Sequence, residues 1–317
     1  MRALLGLSLT IFFALNVAVA QTYPAKPIRL VVPLAPGGGN DTLARYVGKY
    51  LTESLAQSVV VENRAGGGGI AGGEYVARSA PDGYTLVVAG SGLIVATLTH
   101  KQLSFQRDFT PIALIGEYAT LLVCHPSLPV TDVRGLIKLA KSKPGQLNFA
   151  SAGNGSAGHL VMEMFRTAAN IEVVHIPYKG AGPAATDVMA GQVSLLFNNP
   201  LGSIPHVKSG RLRALGSSGA RRITAMPDVP TIAESGLPGF EATFFLGLLG
   251  PPALPRDIVV RVNTETVKIV QRREFQELLT LQGMEAMSGT PEDFTARIRS
   301  EIDKTVKVVR ESGMKLN

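Results

Sequence analysis

Apolar positions in this chain come in short runs cut by glycine and proline, and the runs alternate with stretches of helical spacing. Ile28 to Val32 (IRLVV) reads as a buried strand. Pro33 and Pro36 remove two backbone N–H groups and stop it. Gly37, Gly38 and Gly39 then let the backbone turn tightly. Asn40 or Asp41 caps the helix that follows, with Leu43, Ala44 and Val47 on one face. The cycle returns at once. SVVVE (58–62) is a strand, Ala65 to Gly73 is a glycine-rich turn, and Val76 and Ala77 lie on the next helix. Ala80-Pro81-Asp82-Gly83 is a turn, and Tyr84 to Ala89 a third strand. This order predicts a parallel sheet with crossover helices. Right-handed crossovers bring the strand C-terminal ends to one edge, outside which ligands bind. The loops at Pro36–Asp41, Gly66–Gly69 and Gly90–Gly92 are therefore expected to meet.

Pro111 to Gly116 and Leu121 to Cys124 are further short strands. Thr131 or Asp132 caps a helix that ends at Lys143-Pro144-Gly145. Leu147 to Ala150 is a strand running into SAGNGSAGHL (151–160) and a helix to about Ala169. Val173 to Ile176 leads into PYKGAGPAATDVMAG, and Val193 to Phe197 into Asn198-Asn199-Pro200. Arg211 to Gly216 returns as a strand, after which the chain reads as mainly helical. Thr290-Pro291-Glu292-Asp293 opens the last helix with a cap, an N-terminal proline and two acids. Phe294, Ile298, Ile302 and Val306 form its core face. The pattern predicts an α/β protein of two lobes, like a type II periplasmic binding protein, with the second lobe inserted into the first and a ligand cleft between. Residues 21–120 and 217–317 make the first lobe and 121–216 the second. Two crossing strands form the hinge.

Composition refines this picture in three places. An apolar content of 45% and a mean hydropathy of +0.20 describe a globular chain. Met1-Arg2, the mostly apolar Ala3 to Val19 and the A-x-A at Ala18–Ala20 read as a cleaved signal peptide, residues 1–20. The mature protein is expected to be exported, periplasmic and soluble. Cys124 is the single cysteine, so no internal disulfide can form. The net charge of +7 falls to +6 without Arg2. With no tryptophan and few aromatics for base stacking, nucleic acid is not the expected partner. The charge leans toward anionic small ligands, although a solvated basic surface accounts for it equally.

The candidate chemistry lies in the turns. A glycine turn leading into a helix N-terminus leaves first-turn N–H groups without partners, and the helix dipole favours an anion there. The plain alternative is a βα turn that binds nothing. In SAGNGSAGHL, Ser156 and His159 share a helix face, so a Ser/His hydrolase is a second reading. Residue 154 is Asn where a nucleophile elbow needs Gly, so Ser156 reads better as an N-cap or ligand hydroxyl. The phosphate-loop string and the dinucleotide fingerprint are missing. The five histidines show no metal spacing. No cofactor, metal or catalytic residue is expected. What remains suits reversible capture of a small carboxylate by main-chain amides.

Seven motifs in order make the mature chain, from Tyr23 onward, resemble the Bug family of periplasmic solute-binding proteins. These are also known as tripartite tricarboxylate transporter (TctC-like) substrate-binding proteins. The motifs are YPAKPIRLVVPLAPGGGNDTLAR, VVVENRAGGGGIAGG, APDGYTLVVAG, ASAGNGSAGHL, HIPYKGAGPAATDVMAGQVSLLF, PHVKSGRLRAL and MPDVPTIAESGLPGFEA. The resemblance implies a monomer of two lobes that closes on an organic acid and delivers it to membrane transporter subunits, without catalysis. It places one carboxylate at the turn of Pro36, Gly37, Gly38, Gly39, Asn40 and Asp41, with Ser91 nearby. From the other lobe it implies Ser151, Asn154, Ser156, His159, Lys179 and Gly180, with Asn198 at the rim. Phe244 and Phe245 match a position where the family places aromatics near the pocket. Many members have Asp where this chain has Asn198. An Asn offers no full negative charge to a ligand ammonium, so acids without an amino group are the expected ligands. A sensory role would need the same closure and looks identical in sequence.

Overall fold

The computed structural model describes residues 23–100 and 102–311. The leader expected at residues 1–20 lies outside the described residues. The chain first lays down β1 (Ile28–Val32), α1 (Gly39–Leu55), β2 (Val59–Asn63), α2 (Ile70–Ala77), β3 (Thr85–Gly90), α3 (Ser91–Thr99), α4 (Phe105–Asp108) and β4 (Thr110–Ala119). It continues through β5 (Leu121–Cys124), α5 (Val133–Ser142), β6 (Asn148–Ser151), α6 (Ala157–Ala169), β7 (Val174–Pro177), α7 (Ala181–Met189), β8 (Leu195–Asn198), α8 (Ile204–Lys208) and β9 (Arg213–Ser217). It closes with β10 (Thr243–Gly250), α9 (Arg256–Gln271), α10 (Arg273–Leu281), β11 (Glu285–Ala286) and α11 (Pro291–Glu311).

These elements build two sheets, one in each lobe. The first has the order β11-β4-β10-β3-β1-β2, the second β7-β6-β8-β5-β9. The strand–helix–strand cycle does give parallel pairs, β1 with β2 and β3, and β6 with β7 and β8. Both sheets are nevertheless mixed. β10 runs antiparallel between β3 and β4, and β5 antiparallel between β8 and β9. β10 corrects the expectation of a mainly helical C-terminal third. Every residue of TFFLGLLG after Thr243 is buried, and a strand covered on both faces has no polar alternation to betray it.

The helix ends follow the local chemistry. Asp132 caps α5 by accepting from the Gly135 N–H at 2.7 Å. Thr290 and Asp293 cap α11 reciprocally, at 3.0 and 3.1 Å. α1 differs from its reading. It starts at Gly39 with Gly38 as its N-cap and no side-chain cap, so Asn40 and Asp41 sit inside the first turn. The buried face of α11 is Phe294, Ile298, Glu301, Thr305 and Val309. A fixed step of four drifts off a 3.6-residue period, so Ile302, still packed against the core, and Val306 are only half-buried.

The lobes join where β4 passes into β5 through Thr120. The Thr120 N–H and hydroxyl both donate to Ser218 Oγ at 2.9 Å. The Ser218 hydroxyl donates in turn to the Ala242 carbonyl at 2.6 Å, and the Ala242 N–H to Ser218 O at 2.7 Å. Three chain segments are thereby laced together beside the cleft. Between Ser218 and Ala242 the chain packs back on the second sheet. Ser217 bridges Thr231, and Phe240 meets Phe165 of α6 edge-on at 6.2 Å.

Candidate functional site

The glycine turns of both lobes open on one cleft. It is lined from the first lobe by Leu34, Ala35, Gly38, Gly39, Asn40, Asp41, Gly68, Gly90, Gly92 and Tyr118. The second lobe supplies Ala152, Ser156, Ala157, Gly158, Ala181, Phe197, Asn198 and Asn199. The three loops expected together from crossover handedness do meet here. The cavity left between the lobes is ≈ 60 Å³. At about 10–15 Å³ for each water centre, that is room for roughly four to six waters.

Four helices begin at this cleft, and three of them begin on a glycine. Gly38, Gly90 and Gly180 are the N-caps of α1, α3 and α7, and none supplies a side-chain cap. The first-turn amides of these helices are left without the acceptor that Ser, Thr, Asn or Asp would bring. α6 is the exception, since Ser156 Oγ accepts from the His159 N–H at 3.4 Å.

Asp41 organises the α1 turn and is not itself a free anion. Its carboxylate accepts from the Gly37 N–H at 3.1 Å, from Arg45 at 3.0 and 3.1 Å and from Asn63 Nδ2 at 3.0 Å. Burial alone would raise its pKa, but the Arg45 guanidinium and the Gly37 and Asn63 donors outweigh it and hold the carboxyl below the usual range. The turn is thus held in shape with its charge compensated.

The lobes touch through residues that lack a side chain. The Ala35 N–H donates to the Lys179 carbonyl across the cleft at 3.1 Å. A Cβ on Gly180 would stand 2.6 Å from Ala35 N, and one on Gly39 2.7 Å from Asn199 Cβ. A Cβ on Gly182 would overlap the Pro36 carbonyl, and one on Gly68 the Asn154 carbonyl. Glycine here permits backbone-to-backbone closure. In α7, that role and not a turn explains Gly182.

Several residues singled out in the sequence are elsewhere or otherwise engaged. Pro36 and Gly37 are exposed at the lip of the seam with their backbone against Gly182, and Asn154 is exposed as well, its carbonyl against Gly68. Ser91 is fully buried, and its Oγ accepts from the Phe245 N–H at 3.0 Å. Phe245 is also fully buried, with its ring edge-on to Phe294 at 5.5 Å. Both face the core of the first lobe and not the cleft. Ser151 is buried against His175, its Oγ 2.6 Å from Nε2. His159 stacks on His175 at 4.0 Å, and its Nδ1 accepts from the Gly155 N–H. Burial lowers both imidazoles to about 4, so each is neutral above that. Ser156 and His159 are joined through the helix cap and not through the ring, which removes the geometry a hydrolase needs. Lys179 contributes its carbonyl to the seam, while its ammonium is exposed.

Asn198 lines the cleft, and its side chain is engaged at each end within its own lobe. Oδ1 accepts from the Asn199 N–H at 2.8 Å, and Nδ2 donates to Ser203 Oγ at 2.9 Å. Tyr118, Thr120, Ala157, Gly158 and Asn199 are cleft residues that the sequence did not bring forward. Asn199 stood in the Asn-Asn-Pro stop after a strand, the one available signal. Tyr118 ends a strand at the lobe crossing, where nothing in sequence marks it.

The family model described as "tripartite tricarboxylate transporter family receptor" matches residues 43–314. BugT of Bordetella pertussis is 37% identical over 304 residues, covering 94% of this chain and 92% of that protein. Among solved structures, an R. palustris protein with adipate superposes with a TM-score of 0.89 at 34% identity, covering 92% of this chain and 99% of its own. MatC from Rhodopseudomonas palustris, solved with bound malate, superposes with a TM-score of 0.86 at 30% identity, covering 90% and 100%.

Proposed function

The chain belongs to the tripartite tricarboxylate transporter receptor family, and from that premise we propose that it captures a small organic carboxylate between its lobes for uptake. The family is one of transport receptors and not of enzymes. The observation that carries the proposal is the convergence of α1, α3 and α7 on one cleft with glycine N-caps and no side-chain caps. An anion supplies the acceptors those amides lack, and the helix dipoles add to its binding. Adipate and malate in the two R. palustris structures are ligands of that class.

In this reading Gly38, Gly39, Asn40 and Asp41 hold the acid from the first lobe, with Ser156, Gly180 and Asn198 across from them. Pro36, Gly37, Asn154 and Lys179 act through the shape of the turns. The lobes are residues 21–120 with 217–317, and 121–216, the stretch from Ser218 to Ala242 packing on the second. The protein works as a periplasmic monomer released by cleavage after Ala20, and hands its ligand to membrane subunits of the tripartite type.

A thermal-shift screen against aliphatic and aromatic mono-, di- and tricarboxylates tests the proposal. A ligand at a hundredfold excess over Kd adds about 2.7 kcal/mol of apparent stability. At least one acid is expected to raise the melting point. A response to a neutral sugar or a cation, with none to any acid, would overturn it.

A further inference from the structure

We propose that Asn199, with Tyr118 beside it, reads the ligand by donating to one of its oxygens where the second lobe meets the start of α1. The inference rests on the carboxylate reading of the cleft and adds to it the residues that select among acids.

Asn199 is only 7% exposed and lines the cleft. Its Oδ1 accepts from the Leu201 N–H at 2.9 Å, which fixes the way the amide faces. That leaves Nδ2 a buried donor that faces the Tyr118 hydroxyl oxygen but makes no hydrogen bond of ordinary geometry among the described residues. Buried donors are rarely left so, and each needs an account. The location supplies one. A Cβ on Gly39 would stand 2.7 Å from Asn199 Oδ1 and Cβ, so the side chain lies directly on the first residue of α1. A second-lobe donor is thus packed on a first-lobe helix N-terminus that has no cap of its own.

Tyr118 brings a matching group from the first lobe. It too is 7% exposed and lines the cleft, with its ring tilted on Phe244 at 5.9 Å. Burial pushes its phenol up, the Asn199 side chain pulls the other way by hydrogen-bonding toward the phenol oxygen, and the hydroxyl keeps its proton. Two neutral donors from opposite lobes therefore stand together. Their N–H and O–H match an oxygen of an acid, and neither brings the negative charge that would favour an ammonium. Asn198 is less free to adapt, because its amide already has a partner at each end and only one Nδ2 hydrogen left over. Closure is needed for the match, since Asn199 and Tyr118 ride on different lobes.

Asn199→Asp tests this with little risk to folding. Aspartate retains the oxygen that caps Leu201, and Asp and Asn serve alike as N-caps. Binding of malate, adipate and aspartate is measured by calorimetry on the full-length mature protein. Wild type is expected to bind at least one of the two dicarboxylates and to bind aspartate more weakly. Asn199→Asp should weaken the bound dicarboxylate by roughly 100-fold and shrink or reverse its advantage over aspartate. Tyr118→Phe should weaken it by about 10-fold. A merely structural role would lower the melting point and leave the ratio of malate to aspartate unchanged, and that result overturns the proposal. Wild-type affinity retained in Asn199→Asp overturns it too, while leaving the carboxylate reading intact. Failure of wild type to bind any acid would overturn both.

Discussion

Replacing Gly182 by alanine should separate the stability of the lobes from their closure. Gly182 lies in the first turn of α7, where alanine is the better helix former by up to about 1 kcal/mol. The fold should therefore be unharmed or slightly more stable. Across the cleft the added methyl meets backbone. Its Cβ would overlap the Pro36 carbonyl oxygen and stand 3.1 Å from that carbonyl's carbon and 3.3 Å from the Gly37 carbonyl carbon. Ordinary carbon contacts begin near 3.5 Å, so the seam has to open by about an ångström or more. Opening removes the Ala35 N–H bond to Lys179 O at 3.1 Å. It also withdraws one lobe's donors from the ligand, and a single hydrogen bond to a charged group is worth about 1.5–3 kcal/mol. Affinity for the bound acid should fall by roughly 10- to 150-fold. Calorimetry on wild type and variant, with melting curves on the same samples, reads both effects. Unchanged affinity alongside an unchanged melting point would refute the reasoning, because the seam would then have no part in binding.

Asp41→Ala should cost about 1.5–3 kcal/mol in urea unfolding and weaken carboxylate binding, since the Gly37, Arg45 and Asn63 donors lose their shared acceptor. Because the folded-state pKa of Asp41 is lowered from 3.8, its contribution is present above that value and lost as pH falls through the folded one; the variant should show a shallower acid transition. His159 and His175 have pKa values of about 4 against an ordinary 6.5, so the unfolded chain takes up protons first. Stability should drop as pH falls from about 6.5 toward 4, and His159→Gln should flatten that slope in urea titrations. Phe245→Ala should cost about 3–5 kcal/mol while leaving the affinity of the folded fraction near wild type, as befits a core ring.

The parts of the fold legible in sequence are those set by local chemistry. Thr290 with Asp293, Asp132 before α5 and Ser156 before α6 each announce a helix start, and each side chain makes that bond. Crossover handedness, a general rule, is enough to bring three distant loops to one cleft. What escapes is set by packing. β10 is buried on both faces and so reads like any apolar run. Ser91 and Phe245 neighbour the cleft in sequence, yet which way a side chain points depends on helix phase and strand pleat. One residue along from each, Gly92 and Leu246 do line the cleft. Asn198 and Asn199 make the same point. Successive amides in one string have different fates, one bonded at each end within its own lobe and the other lining the cleft with an Nδ2 that makes no hydrogen bond of ordinary geometry.

The central claim is that uncapped main-chain amides from both lobes grip a negatively charged ligand. Backbone ¹⁵N–¹H spectra recorded while malate or adipate is titrated in test it most directly. The amides of Gly38, Gly39 and Asn40 should shift together with those of Gly180 and Ala181, at one shared midpoint. Shifts confined to one lobe, or centred away from these helix starts, would contradict the account.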